Sequence, residues 1–445
     1  MKKRSLPLAT QMGLALLFGV IAGLIFMVCR ETLNSTGHAA AWATINTLLF
    51  QDITVAGAES AIGLFYIVGQ LFVRARQLVI VPMVFTSIVL AIGRITDAKQ
   101  LGRISVKTLG WFLFCSILAL AFACAVGFAV FSAGLFTLQT DSFSASTGST
   151  GSNALSVLLN VIPTNIGTAF SSNTSVLAIV FLAAVTGLCM NFLGSERTAT
   201  LKKFIVELND VIVVFLNFVV SKFGPIAIFF LISRTFATYG IESLKPAAVY
   251  MITTTVLLLV FLFIGYPLLT LLSSKCNPFI FVKKIMKVLL FGFSTSSSAA
   301  TLPLNIETTT KELGVSDHIA SFVLPLGMTI NMNGTAIMQV VATLFIAGCG
   351  GYQVSLSSLI IISLLALVAS IGTPAAPGAG AIILFTILSG TGFTNDAALM
   401  AYSLILAINR PIEMLVTALN VVGDSQTCLF VARSEKALDD EVYNG

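Results

Sequence analysis

The sequence predicts an all-α polytopic membrane protein of about eight transmembrane helices plus two re-entrant helical hairpins arranged as inverted repeats. Three observations predict it. Apolar runs on the order of 20 residues long, the length that crosses a bilayer core, recur from residue 14 to the last helix. Only 10% of the residues are charged and 57% are hydrophobic, whereas soluble proteins carry roughly a quarter charged residues. The last third then breaks its own hydrophobicity with small polar stretches: FSTSSSAATLP at 293–303, TINMNGT at 329–335 and SIGTPAAPGAG at 370–380. In hydrocarbon every backbone N–H and C=O needs a partner, so such irregular backbone persists only where it is buried in protein or lines a polar cavity.

The first span covers residues 12–29, and the polar segment after it, to residue 60, reads as an external loop. The basic start before this span does not make it a cleaved signal peptide, because no small-residue cleavage pattern follows and many further spans do. A second span, 62–95, is long enough to tilt; its Arg74 and Arg76 are expected to snorkel to the outer interface rather than meet a substrate. The third runs over 108–136 and precedes a low-complexity Ser/Thr/Gly loop at 140–152. Residues 153–193, punctuated by Pro163, Asn165 and a polar cluster at Ser171, read as a broken span; a fifth (204–232) and a sixth (247–272) follow.

The net charge of +5 does not point to nucleic acid, because the basic residues sit in short loops between spans. Lys2, Lys3 and Arg4 precede the first span, Arg94, Lys99, Arg103 and Lys107 flank the second turn, Arg197, Lys202 and Lys203 the fourth, and Lys275, Lys283, Lys284 and Lys287 the sixth. By the positive-inside rule, both termini are cytoplasmic. The seven cysteines lack paired spacing and are read as reduced apolar fillers, not as a disulfide framework or a metal site.

After Lys287 the composition shifts to Ser, Thr, Gly, Ala and Asn. Apolar stretches too short to span flank the serines near 297, which predicts a hairpin entering and leaving on the cytoplasmic side; residues 354–393 have the same design from outside. Between them a helix over 319–347 is broken at TINMNGT, where freed carbonyls and amide oxygens suit a hard cation such as Na⁺. A kink satisfied by neighbouring helices is the alternative. In the last helix Asn409, Glu413, Thr417, Asn420 and Asp424 fall in a stripe roughly 80° wide. Intramembrane carboxylates mark pathways or partners: Glu413 suits a substrate ammonium and Asp424 a cation, while Arg410, at i, i+3, offers Glu413 a plain ion pair instead.

These residues together resemble the dicarboxylate/amino-acid:cation symporters, the family of glutamate and neutral amino-acid transporters. The resemblance runs from the second span to the end of the last helix and rests on an ordered set: the serine-rich tip ending TLP, NMNGT for the family's NMDGT, SIGT with PGAG, and NVVGD. It implies a homotrimer in a bacterial inner (plasma) membrane, with membrane lipid and an amino-acid substrate as partners. It also implies a division into scaffold (1–104 and 153–236) and an elevator-like transport domain (105–137 and 243–433), with 434–445 as a cytoplasmic tail. By motif match, Ser297, Ser298 and Asn420 would hold the substrate carboxylate, Thr335 and Thr417 would line the pocket, Glu413 takes the ammonium-binding position, and Pro377, Gly378 and Gly380 belong to the outer gate.

The resemblance implies one sodium site at Gly327, Asn331, Asn420 and Asp424 and a second at Thr329, Ser370, Ile371 and Thr373. A third family site, built from tyrosine, threonine, serine and the motif aspartate, here reads Phe112, Cys115, Ser116 and Asn333. With those donors lost or neutralised, fewer coupled sodium ions are expected. Val416 occupies the position at which carriers of acidic substrates have an arginine, and Ser296 supplies no replacement, so a small neutral amino acid is the expected cargo. Two other readings are carried: a proton-coupled carrier of an amino acid or dicarboxylate, in which Glu413 and Asp424 titrate, and an intramembrane enzyme using Ser297 or Ser298. The enzyme reading lacks a base, since His38 and His318 lie in predicted loops.

Overall fold

The computed structural model describes residues 8–54, 57–97, 102–137, 162–171, 176–240, 244–371, 373 and 378–445. Among them there is no β-strand, only an isolated bridge between Val315 and Leu438. Helix α1 (Leu8–Ser35) outruns the predicted first span. The segment after it, expected as a loop, holds α2 (Ala39–Leu49); its alanine-rich sequence favours helix, and Trp42 and Ile45 pack on a cluster containing Phe26, Phe50 and Phe65.

The expected second span is two helices, α3 (Leu64–Leu78) and α4 (Ile80–Asp97). Pro82, in the first turn of α4, has no N–H to give to the Leu78 carbonyl, so the ladder is interrupted there. Arg74 is exposed, as snorkelling requires; the side chain of Arg76 lies outside the described residues. Helix α5 (Arg103–Ser132) follows, and the low-complexity loop at 140–152 lies outside the described residues. The broken fourth span is α6 (Ile166–Phe170), whose first N–H groups are capped by Asn165, and α7 (Val176–Leu193). The fifth is α8 (Ser195–Phe218) and α9 (Gly224–Tyr239), joined by a π-helical turn. The sixth begins with α10 (Leu244–Val260) and reaches Ser274 through two π turns.

The first hairpin is α11 (Pro278–Thr295) and α12 (Ser298–Lys311). The broken helix is α13 (Asp317–Ile330) and α14 (Asn333–Cys349). The second hairpin is α15 (Leu356–Ile371) and α16 (Ala379–Thr391). Helices α17 (Asp396–Ile408) and α18 (Arg410–Ser434) complete the bundle. Six helical stretches among the described residues are long and apolar enough to cross a membrane. The other two expected spans are those that split, α3 with α4 and α6 with α7.

Helix α14 lies at the centre, with all 17 of its residues buried, and packs on α5, α10, α15 and α18. Lipid tails are as apolar as leucine, so helices associate here by close van der Waals fit. The same holds for α1 and α9, where Gly23 faces Phe236 so closely that a Cβ on the glycine would overlap the phenylalanine Cβ.

Residues 435–443 pack against the bundle. Lys284 donates to the carbonyls of Glu312 (3.0 Å), Val442 (2.8 Å) and Tyr443 (2.8 Å), and the buried Tyr443 donates its hydroxyl to the Asn277 carbonyl at 2.8 Å. Glu435 pairs with Arg103 and with Lys107, the latter at 2.5 Å, which ties the end of α18 to the start of α5. Hydrogen bonds from Arg103 and Lys107 hold the Glu435 carboxyl down at about 2.

Gly23→Ala is expected to lower the thermal midpoint of the detergent-solubilised protein, an overpacking loss on the order of 1–3 kcal/mol. Gly110→Ala, where an added Cβ meets nothing within 4 Å, is expected to stay at or above wild type in the same assay. A carboxyl whose folded pKa is depressed stabilises above its unfolded value and stops doing so as pH falls through the folded value. The midpoint difference between wild type and Glu435→Gln should therefore be full at neutral pH and close as pH falls from about 4.5 towards about 2.

Candidate functional site

Both hairpins, the break between α13 and α14, and the start of α18 converge on one cavity. The first hairpin turns at Ser296, in the left-handed conformation at φ 51°, and Ser297, which is extended. Ser297 caps α12, its hydroxyl accepting from the Ala300 N–H at 3.3 Å, while Ser296 and Ser298 line the cavity. The second hairpin contributes Thr373, Gly378 and Gly380, and α18 contributes Glu413, Val416, Thr417 and Asn420. Thr335, Met332 and Met338 form the wall from the broken helix.

Three of these residues, Ser298, Thr335 and Gly380, stand in the first turns of α12, α14 and α16. The opening turn of a helix carries unpaired N–H groups and the positive end of its dipole, so three openings on one cavity favour an anionic group there. Glu413 supplies the opposite sign across it. The arrangement can hold a zwitterion, its carboxylate on the helix openings and its ammonium on Glu413. Arg410 Nη1 is 3.9 Å from Glu413 Oε2, an ion pair without a hydrogen bond.

Asn420 locks α18 onto the break. Its Oδ1 accepts from the Gly334 N–H at 2.8 Å, and its Nδ2 donates to Thr335 Oγ1 and to Met332 Sδ, both at 3.2 Å. Gly334 permits this approach, since a Cβ there would press on the Val416 carbonyl and on Asn420 Oδ1.

One helical turn further, Asp424 is 2% exposed. Asn331 Nδ2 donates to its Oδ1 at 2.9 Å, and Gly327 is the point of α13 that lies against the carboxylate. Gly327, Asn331 and Asp424 are thus brought together, while the side chain of Asn420 is engaged with Gly334, Thr335 and Met332. Among the described residues no basic side chain pairs with Asp424. Asn331 also accepts from Asn333 Nδ2 at 2.9 Å; Asn333 donates to the Tyr266 hydroxyl at 3.0 Å and accepts from Ser116 Oγ at 2.8 Å. Phe112 and Cys115 are buried on the same helix as Ser116. Ser116 and Asn333 thus belong to a neutral hydrogen-bonded chain with Tyr266 and Asn331, and Phe112 and Cys115 add no hydrogen bond to it among the described residues.

At the second predicted cation place the side-chain oxygens turn inward on their own segments. Thr329 Oγ1 donates to the Leu326 carbonyl at 3.1 Å, Ser370 Oγ to that of Leu367 at 2.8 Å, and Thr373 Oγ1 to that of Ala369 at 2.9 Å. Ile371 faces an apolar cavity that Leu367 and Phe112 also line. Pro377 lies outside the described residues. Sequence reasoning passed over Ser296, Met332 and Met338 as lining residues. The motif NMNGT carried a signal for Met332, since a thioether inside a polar break has a polar donor to meet. No cluster of His, Cys, Asp and Glu with metal-holding geometry occurs among the described residues, and all seven cysteines are free thiols.

Helical hairpins meeting a broken helix across a polar cavity inside an all-α, multi-pass membrane protein define a secondary carrier. The chain belongs to the sodium:dicarboxylate symporter family, whose sequence profile matches residues 8–434. It is 28% identical over 384 residues to the proton/glutamate-aspartate symporter of Escherichia coli (strain K12), covering 83% of this chain and 85% of that one. To the proton/sodium-glutamate symport protein of Bacillus caldotenax it is 26% identical, over 84% of this chain and 88% of that one. To the human excitatory amino acid transporter 5 it is 34% identical, over 57% of this chain and 45% of that one. Membership in a symporter family sets aside the enzyme reading.

Asn333→Leu removes three hydrogen bonds and strands Ser116, Tyr266 and Asn331. At about 1 kcal/mol net per bond, a loss on the order of 3 kcal/mol is expected in thermal unfolding, against about 1 kcal/mol for Ser116→Ala.

Proposed function

We propose that this protein is a sodium-coupled symporter that takes up a small neutral amino acid. The observation that carries the reading is Asp424, a carboxylate 2% exposed with one hydrogen-bond donor among the described residues, Asn331, one turn below a cavity suited to a zwitterion. A buried charge without a partner is strongly unfavourable in a membrane; a cation bound there neutralises it and helps hold Asn331 and Asn420, and through Asn420 the cavity wall. That linkage makes cargo and cation bind together. Gly327, Asn331, Asn420 and Asp424 form the proposed first cation site, and Thr329, Ser370, Ile371 and Thr373 the second. The neutral network through Asn333 supports fewer coupled ions than a charged residue in its place.

Ser298, Thr335 and Asn420 hold the carboxylate in this reading, with Ser297 supporting Ser298 as the cap of α12. Glu413 takes the ammonium, and Thr417 and Gly380 border the cargo. Val416, 5% exposed in the cavity wall, gives a second carboxylate nothing to pair with, which supports a neutral side chain. We further propose alternating access of the elevator type, with 105–137 and 243–433 moving against 1–104 and 153–236, in a homotrimer in the plasma (inner) membrane with both termini cytoplasmic. Proton coupling is the second reading. It is favoured by the same buried carboxylate, which a proton also neutralises, and by relatives named as proton symporters.

Proteoliposomes test both. Uptake of a neutral amino acid driven by an inward Na⁺ gradient is expected, and uptake that ignores Na⁺ and follows a pH gradient would favour the second reading. Asp424→Asn is expected to abolish Na⁺-driven accumulation. Val416→Arg is expected to gain aspartate binding, read as an aspartate-dependent rise in thermal midpoint.

A further inference from the structure

The junction of α17 and α18 holds polar groups that the substrate cavity does not use. Asn409, 1% exposed, joins the two helices in helical conformation, φ −72° and ψ −7°. Its Oδ1 accepts from the Tyr250 hydroxyl at 2.7 Å, so it does not cap α18, and its Nδ2 is buried without a hydrogen-bond partner among the described residues. The next residue, Arg410, has a side chain 12% exposed, and its Nε and Nη1 are likewise buried and unpartnered. Neither residue lines the substrate cavity.

Unclaimed buried donors are unfavourable, the more so when charged, and a guanidinium does not escape by losing its proton. The anion facing Arg410 is Glu413, at 3.9 Å and outside hydrogen-bond distance. The positive end of α18, a helix of 25 residues, adds to the same field. Pro411 in its first turn has no N–H, and the Asn409 and Arg410 side chains add donors there. Water would supply acceptors but no charge.

We propose that this junction is a binding site for a small inorganic anion, of halide size, held by Arg410 Nε and Nη1 and Asn409 Nδ2. The anion takes over as counterion to Arg410 and frees Glu413 to face the cavity. On the function proposed above, a halide then lowers the half-saturating amino-acid concentration severalfold.

The test uses the purified full-length protein at constant Na⁺ and ionic strength, without amino acid, so its outcome is independent of the transport reading. Exchanging gluconate for chloride or bromide is expected to raise the unfolding midpoint of wild type by a few degrees, as a ligand specific to the folded state does. Arg410→Gln is expected to lose the shift and Asn409→Ala to diminish it. No halide-specific shift in wild type, or an undiminished one in Arg410→Gln, overturns the proposal. Should Arg410→Gln fail to fold, anomalous diffraction from wild-type crystals grown in bromide decides. A peak beside Arg410 supports the site, and its absence there overturns it.

Discussion

The architecture depends on one constraint: a carboxylate, Asp424, is held in the buried interior of a membrane protein by a single amide donor among the described residues. Asn331 is available for that contact because the helix ladder stops at 331–332. The stop is tolerated because Asn333, Tyr266 and Ser116 complete the hydrogen bonds around it. Remove the break, and Asn331 rejoins a helix and no longer reaches the carboxylate in this way. Remove the carboxylate, and the polar chain around the start of α14 loses the charge it surrounds.

The same break sets up the cavity. Because α14 begins at Asn333, its opening turn faces the openings of α12 and α16. Backbone dipoles, rather than basic side chains, then supply the positive field for an anionic group. A field of this kind is rigid, needs no counterion of its own and leaves Glu413 as the cavity wall's carboxylate. Asn420 couples the two regions mechanically, because it grips both residues flanking Asn333 and sits one turn from Asp424.

Much of this was legible in the sequence, where local chemistry dictates the outcome. Serine clusters and Asn-Gly disfavour a helix interior, so the hairpins and the break were found close to where they lie. Of the helical stripe Asn409, Glu413, Thr417, Asn420 and Asp424, the middle three line the cavity, while Asn409 and Asp424 lie beyond its two ends. Features set by tertiary packing were not legible. Helix α2 forms against an aromatic cluster drawn from distant segments, and the 434–445 segment is fixed by Lys284 on another helix. Asn409, read as part of the last helix, is the joint between two helices, and Tyr250 on another helix takes its side chain. The roles of Ser297 as a cap and Ser296 as a lining residue depend on a left-handed turn, a single-residue choice that a run of like serines conceals.

The amide network around Asn333 also bears on energy conversion. A hydrogen-bonded amide carries no charge across a membrane. On the proposed reading, a carrier that moves one cation fewer per cycle draws about 2.3 kcal/mol less from a 100 mV potential. Such a carrier concentrates its cargo less steeply, runs closer to equilibrium, and reverses at a smaller collapse of the ion gradient. Four neutral side chains, Ser116, Tyr266, Asn331 and Asn333, would thereby set how far uphill the cell can pull a nutrient.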